Sequence, residues 1–309
     1  MGSAERFSSR PASQPCKALV ALASAVPDAA FPTHRGRGMC RDTFHKQGLF
    51  CRAFVTSLRT PLEVRITPVG GMKRVEPGDE LGGIIAGALQ GMKFALADDD
   101  IVVVTQKIVS KSEGRLAKLD EVKPTNEAAA LAAELGKDPR MVELVLRESK
   151  RVVRKGHGIL ITETRHGFVC ANSGIDLSNV EAGYVALLPV DPDASARRIR
   201  RSLEKATGNR LAVIVTDTFG RPWREGQTDV AIGCSGIAPT QSLAGKKDPY
   251  GYVLRVTQPA VVDEVAAAAE LVMTKLSLVP VAIVSGVRYR RGESGVRSMV
   301  LKSSLDLFR

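Results

Sequence analysis

Two stretches limit what this chain can fold into: IVVVTQKIV (101–109) and LAVIVTDT (211–218). Each is a near-continuous run of aliphatic and β-branched residues, without the alternation expected of a strand wet on one side. Such runs suit strands covered on both faces, and the covering layers are usually helices. Helical patterns do lie around them. PGDELGGIIAGALQGM (77–92) offers Asp79 as an N-cap, with Leu81, Ile84, Ile85, Ala88 and Leu89 on one face. NEAAALAAELG and PRMVELVLRES read as two successive helices joined by Lys137-Asp138, and ASARRIRRSLEKATG as a helix beginning after Asp193 and stopping at Gly208. VVDEVAAAAELVMTKL reads as a long amphipathic helix. LEVRITPV, DVAIGCSGIAP and VPVAIVSGV read as further strands, and ILITETRHGFVCANS as a hairpin turning at Arg165-His166-Gly167. Strands alternating with helices specify an α/β protein with mixed sheets.

Residues 1–60 lack this periodicity and mix Ser, Pro, Gly and Arg, so a disordered basic extension is expected before a folded domain at 61–309. The one candidate subdivision lies near 180–195, where no Pro/Gly/Ser linker marks it. The extension matters for charge. The whole chain carries +11, but residues 1–60 hold nine basic and three acidic residues, leaving 35 basic against 30 acidic in the remaining 249. A body so nearly balanced, with only 5% aromatic residues, argues against a nucleic-acid partner. Five cysteines form no CxxC pair and four histidines show no metal-site spacing, so a reducing, cytoplasmic setting is expected. No run reaches the roughly 18 apolar residues of a membrane span.

The familiar nucleotide signatures are missing: there is no GxxxxGK[ST], no GxGxxG after a strand and no GxSxG. Chemistry concentrates instead at the expected ends of apolar strands, where open α/β sheets bind ligands. In LAVIVTDTFGRPWREG, Asp217 and Thr218 suit a hard divalent ion, and Arg221 and Arg224 suit phosphate. The same residues also read as an N-cap followed by a solvated basic face. ANSGIDLSNV (171–180) packs Asn172, Ser173, Asp176, Ser178 and Asn179 around a glycine. Asp176 could give a second carboxylate to the same ion, while Ser178 or Asn179 equally reads as the cap of a short helix. SKSEGR (110–115), with Lys111, is either a phosphate loop or a plain turn. KKDPYGYVL (246–254) reads as a turn.

Taken together, VVVTQKIVSKSEGR, the C-x-NSGID-x-SNV run, VTDTFGRPWREGQTDVAIG and KDPYG resemble the coenzyme F420:L-glutamate ligase family, in order, over residues 62–287. The resemblance implies an unusual two-part α/β ligase fold and a homodimer. It implies a GTP-dependent reaction that activates the lactyl carboxylate of the deazaflavin cofactor precursor, joins it to L-glutamate, and releases GDP and phosphate, with further gamma-linked glutamates. It also implies two divalent cations, Mg2+ or Mn2+, and K+ as activator. Asp176 and Asp217 resemble ligands of a first cation and Thr218 of a second. Gly71, Met72, Lys73, Arg74, Gln106, Lys107, Lys111, Asn179, Thr274 and Lys275 resemble GTP contacts. The stretch 273–280 carries no acid, which leaves the second cation short of a carboxylate. Two rival readings are another nucleotide-dependent acid–amine ligase and a non-catalytic nucleotide- or RNA-binding protein.

Overall fold

The computed structural model describes residues 63–307; the expectation of a disordered extension over 1–60 lies outside them. In chain order the first elements are β1 (Arg65–Pro68), α1 (Leu81–Gly91), β2 (Ile101–Thr105), α2 (Gln106–Ser112), β3 (Leu116–Lys118), α3 (Asn126–Leu135) and α4 (Pro139–Arg147). Then come β4 (Ser149–Gly156), β5 (Ile159–Thr164), β6 (Val169–Ala171), β7 (Tyr184–Ala186) and α5 (Pro192–Thr207). The chain closes with β8 (Ala212–Arg221), β9 (Arg224–Ser235), α6 (Val261–Glu270) and β10 (Val281–Ser285). The main sheet runs β1-β10-β2-β8-β9, and within it only β2 and β8 are parallel neighbours.

The two apolar runs form β2 and β8, side by side at its centre. Their residues alternate between two cores: Val102, Val104, Val213 and Val215 pack with helices α1 and α5, while Ile101, Val103, Ala212 and Ile214 pack with α6. All eight have no exposed surface. Each Val or Ile so buried contributes about 1.5–3 kcal/mol, so the runs are uninterrupted because both faces are dry. A third cluster, around Val142, Val145 and Leu160, joins α3 and α4 to the antiparallel sheet β4-β5-β6. A short β3-β7 ladder, Leu116 opposite Ala186, lies beside the bridge between Asp176 and Ala186.

The paired helices α3 and α4 and the hairpin at residues 165–167 are as expected, and Gly208 ends α5 with a φ of 78°. Four local readings change. Helix α1 is capped by Glu80, whose carboxylate accepts from the Gly82 and Gly83 amides, while Asp79 accepts from Glu76 and Lys73. Helix α5 starts at Pro192 under an Asp191 cap, two residues early. Helix α6 stops at Glu270, so residues 271–280 are a loop. Finally, β2 ends at Thr105 and the chain turns directly into α2, placing Lys111 on a helix rather than in a phosphate loop. The fully buried Gln106 favours that turn, because its side chain accepts from Ser110 one helical turn on.

Strand β1 is held against β10 at a point with no room for a side chain. Gly286, at φ 84°, would place a Cβ 1.9 Å from the Glu63 carbonyl oxygen. Gly286→Ala is expected to lower the unfolding free energy by about 2–4 kcal/mol, read from urea midpoints, because both the clash and the left-handed backbone oppose it.

Candidate functional site

The site follows from unequal strand lengths. Pairing between β2 and β8 ends at Thr105 opposite Thr216, where β2 gives way to α2. Strand β8 runs on through Arg221, bonded only to β9. A notch therefore opens beside β8 at the carboxyl ends of the two parallel strands, the place where α/β sheets hold ligands. A cavity of about 1030 Å³ lies there. Strand β8 divides it, since successive side chains point to opposite faces. Asp217 lies on the α1/α5 side, whereas Thr216 and Thr218 lie on the α6 side.

On the first side Asp217 meets Asp176, carried in from the turn after β6. Burial pushes the Asp217 carboxyl up to about 7; the Thr218 amide opposes this, and the negative charges of Asp176 and Asp229 add to it. Asp176 behaves oppositely. Burial would raise it, but bonds from Lys107 and Ser178 outweigh burial and hold it below the usual carboxylate range. Its partner is Lys107, 2.8 Å away, which also donates to the Ser178 hydroxyl at 2.6 Å. Lys111 donates to the Asn179 carbonyl at 2.8 Å, and its pKa is lowered by burial and by the positive charges of Arg74 and Lys107. Lys107 and Asp176 thus form an ion pair at the cavity wall, Lys73 and Arg74 pair with Asp79 and Glu181, and Asp217 lies beside them with no cation in bonding contact among the described residues. Cys170, beside Asp217, is buried and pushed up to about 12 by burial and that carboxylate.

On the second side Asp229 joins the cavity from β9, directly opposite Thr218, and Glu270 joins from the end of α6. Asp229 accepts from both threonine hydroxyls, Thr216 at 3.0 Å and Thr218 at 2.7 Å, and donates its amide to Glu270 at 2.9 Å. Neither acid was singled out in the sequence. Counting the register outward from the Pro222-Trp223 turn would have put Gln227 opposite Thr218; the irregularity between Gly220 and Arg221 shifts the pairing by two residues and sets Asp229 there. Both acids line the cavity, where the 273–280 stretch offers none. Met273, Thr274, Lys275, Leu278, Val279 and Pro280 still line the cavity, and the Asn179 side chain donates to the Lys275 carbonyl.

The polar density of ANSGIDLSNV divides between two tasks. Asn172 and Ser173 both adopt positive φ, and Ser173 is a buried hub. Its hydroxyl lies 2.9 Å from Ser149 and 2.8 Å from Thr162, and its amide donates to Thr162. That half pins the turn to α4 and the small sheet. The second half, Asp176 and Asn179, faces the cavity.

Of the other expected contacts, Met72, Lys73, Arg74, Gln106 and Lys107 line the cavity, whereas Gly71 only precedes the lining residues. The buried Gln106 amide nitrogen has no hydrogen-bond partner, so a donor stands ready for a ligand oxygen. Arg221 and Arg224 do not reach the cavity of their own chain. Because β8 continues instead of ending at Asp217, four further residues at roughly 3.3 Å each carry Arg221 to the hairpin tip. There it donates to the Glu225 carbonyl.

Among the described residues no three acidic, histidine or cysteine side chains form a cage able to hold a metal unaided. The donors present, Asp176, Asp217 and the Thr218 hydroxyl, still fit a hard ion, because Mg2+ is commonly held by one or two carboxylates plus ligand phosphates. The raised Asp217 carboxyl reflects first its burial and then the nearby negative charges of Asp176 and Asp229. This has a pH signature. A carboxyl raised in the fold contributes stability that is whole below its unfolded value of 3.8 and is lost as pH climbs to about 7. Metal-free Asp217→Asn is therefore expected to be more stable than wild type at pH 8, by on the order of a few kcal/mol. That advantage should vanish towards pH 4, as read by urea unfolding in chelator.

Comparison with known proteins agrees with this architecture. Residues 71–286 match the family model described as F420-0:Gamma-glutamyl ligase. The chain is 46% identical over 249 residues to the Coenzyme F420:L-glutamate ligase of Methanothermobacter thermautotrophicus, covering 80% of this chain and 99% of that protein. It is 43% identical over 251 residues to the enzyme of the same name from Methanopyrus kandleri, covering 80% and 98%. It is 41% identical over 218 residues to that of Methanocaldococcus jannaschii, covering 70% and 87%. The chain belongs to the F420-0:gamma-glutamyl ligase family.

Proposed function

We propose that this protein is a GTP-dependent ligase that joins L-glutamate to the lactyl carboxylate of the coenzyme F420 precursor through an acyl phosphate. GDP and phosphate are released, and further glutamates are added through gamma linkages. Family membership makes it a ligase forming carbon–nitrogen bonds. The relatives' names support the acid and the amine. The observation that carries the reading is a single cavity lined both by five cations, Lys73, Arg74, Lys107, Lys111 and Lys275, and by the oxygens of Asp176, Asp217 and Thr218. Such a lining suits a triphosphate whose charge is shared between side-chain cations and bound metal.

In this reading Met72, Lys73, Arg74, Lys111, Asn179, Thr274 and Lys275 grip the nucleotide, and the free Gln106 amide donates to a phosphate oxygen. Asp176 and Asp217 would hold one Mg2+ or Mn2+ and Thr218 a second, and such ions, when bound, would supply charge neutralisation for phosphoryl transfer. K+ acts as an activator. The substrate carboxylate attacks the γ-phosphorus, GDP leaves, and the mixed anhydride then yields to the amine of glutamate with loss of phosphate and one amine proton. Positioning and charge neutralisation dominate such a transfer, so no nucleophilic Ser or Cys is required. The active form is a homodimer in this reading.

Incubating the full chain with GTP, Mn2+, L-glutamate and precursor is expected to yield a product heavier by one glutamyl unit, with one GDP per bond formed, seen by mass spectrometry and nucleotide analysis. Glutamyl transfer driven by ATP alone, or none at all, would defeat the reading. Asp217→Ala should cut turnover by at least about 100-fold, the scale of losing a transition-state charge partner, while the circular dichroism spectrum stays that of wild type.

A further inference from the structure

The α6 side of β8 holds an arrangement that neither strand pairing nor the family assignment requires. Thr216 and Thr218 are two residues apart, so they share one face of the strand. Asp229 lies on the same face of β9, in register with Thr218. Its two carboxylate oxygens are used separately, Oδ2 accepting from Thr216 Oγ1 and Oδ1 from Thr218 Oγ1. Its own amide is fixed by Glu270, the last residue of α6. Thr216 and Asp229 are 1% and 5% exposed. The backbone ladder already joins β8 to β9 here, so two polar side chains are buried and a third, Thr218, half-buried at a place where Val and Ile would serve adhesion better.

The consequence lies in the direction of the protons. A threonine hydroxyl has one hydrogen and two lone pairs, and it ordinarily rotates to suit its surroundings. With the hydrogen of Thr218 committed to a carboxylate, its oxygen can offer the cavity only lone pairs, and the neighbouring negative charge makes those lone pairs better donors. We propose that Asp229 is a positioning residue: its carboxylate accepts the hydrogen bond of the Thr218 hydroxyl and so turns that oxygen's lone pairs outward as a ligand for the cation on the α6 side. The helix-end carboxylate of Glu270 fixes the backbone of Asp229 and with it the aim of the side chain. This inference rests on the reading that the cavity binds a metal–nucleotide complex, with one ion on each side of β8.

The test uses Mn2+ binding to the full-length protein in the presence of GDP, with free Mn2+ counted by electron paramagnetic resonance, and needs no turnover. Wild type should show two classes of bound ion. In Asp229→Asn the side-chain NH2 donates towards one threonine oxygen and occupies a lone pair. One class should therefore weaken about 10-fold or more, while the class at Asp176 and Asp217 stays within about 2-fold. Thr218→Val should weaken the same class, and adding Asp229→Asn to it should cost nothing further. Should Asp229→Asn not fold, Asp229→Glu, which keeps the charge and misplaces it, is expected to give the same selective loss. Two unchanged classes, a loss that multiplies with that of Thr218→Val, or an equal weakening of both classes with a lowered urea midpoint would each overturn the positioning role. A wild-type protein that binds no Mn2+ with GDP would remove the metal–nucleotide reading itself, and this inference with it.

Discussion

Everything chemical in this protein depends on one strand stopping short. Strands β2 and β8 run parallel for five residue pairs, and then β2 leaves the sheet while β8 does not. Had both continued, the space beside Asp217 would be filled by a ladder of hydrogen bonds. The premature exit is local chemistry: Gln106 turns back to Ser110 and starts a helix where Ile or Val would have prolonged the strand. The bare edge of β8 then presents carboxylate and hydroxyl to alternate sides of a single backbone.

Three elements from distant parts of the chain close on that edge. The turn after β6 brings Asp176 and Asn179, the segment after β1 brings the basic residues 73 and 74, and the loop before β10 brings residues 274 and 275. Each is anchored away from the cavity. Ser173 fastens the first to α4 and the small sheet, Gly286 lets β1 lie flush against β10, and the loop after α6 feeds the sheet directly. The supports are packed while the cavity itself gathers charged side chains from all of them, which is the arrangement expected where binding is favoured over stability.

The apolar runs were easy to read because burial on both faces leaves no choice of residue, and every strong helix pattern corresponds to a helix. Asp176 and Asp217 were legible for a similar reason, since a carboxylate at the end of a dry strand is costly to desolvate unless a cation or a donor meets it. What escaped the sequence was pairing between segments. Asp229 looks like any polar residue of an exposed hairpin until the register sets it against Thr218. Arg221 and Arg224 looked close to Asp217 because they are near in sequence, yet an extended strand separates neighbours faster than any other conformation. Asn172 and Ser173 looked functional in company with Asp176, but their left-handed backbones serve the turn. Periodicity reports burial, whereas partners across a sheet are fixed by tertiary structure.

The lining bears on which elements the cavity would tolerate. No cysteine and no histidine occurs among the lining residues; sulfur enters only as the thioethers of Met72 and Met273, and Cys170 lies outside the lining. The lysine and arginine nitrogens there carry protons and offer no lone pair to an ion, so carboxylate and hydroxyl oxygens are the main donors. Zinc, held tightly by thiolate and imidazole, finds neither, whereas magnesium is suited by oxygen. Selection against a common contaminant would thereby be built into the choice of lining side chains.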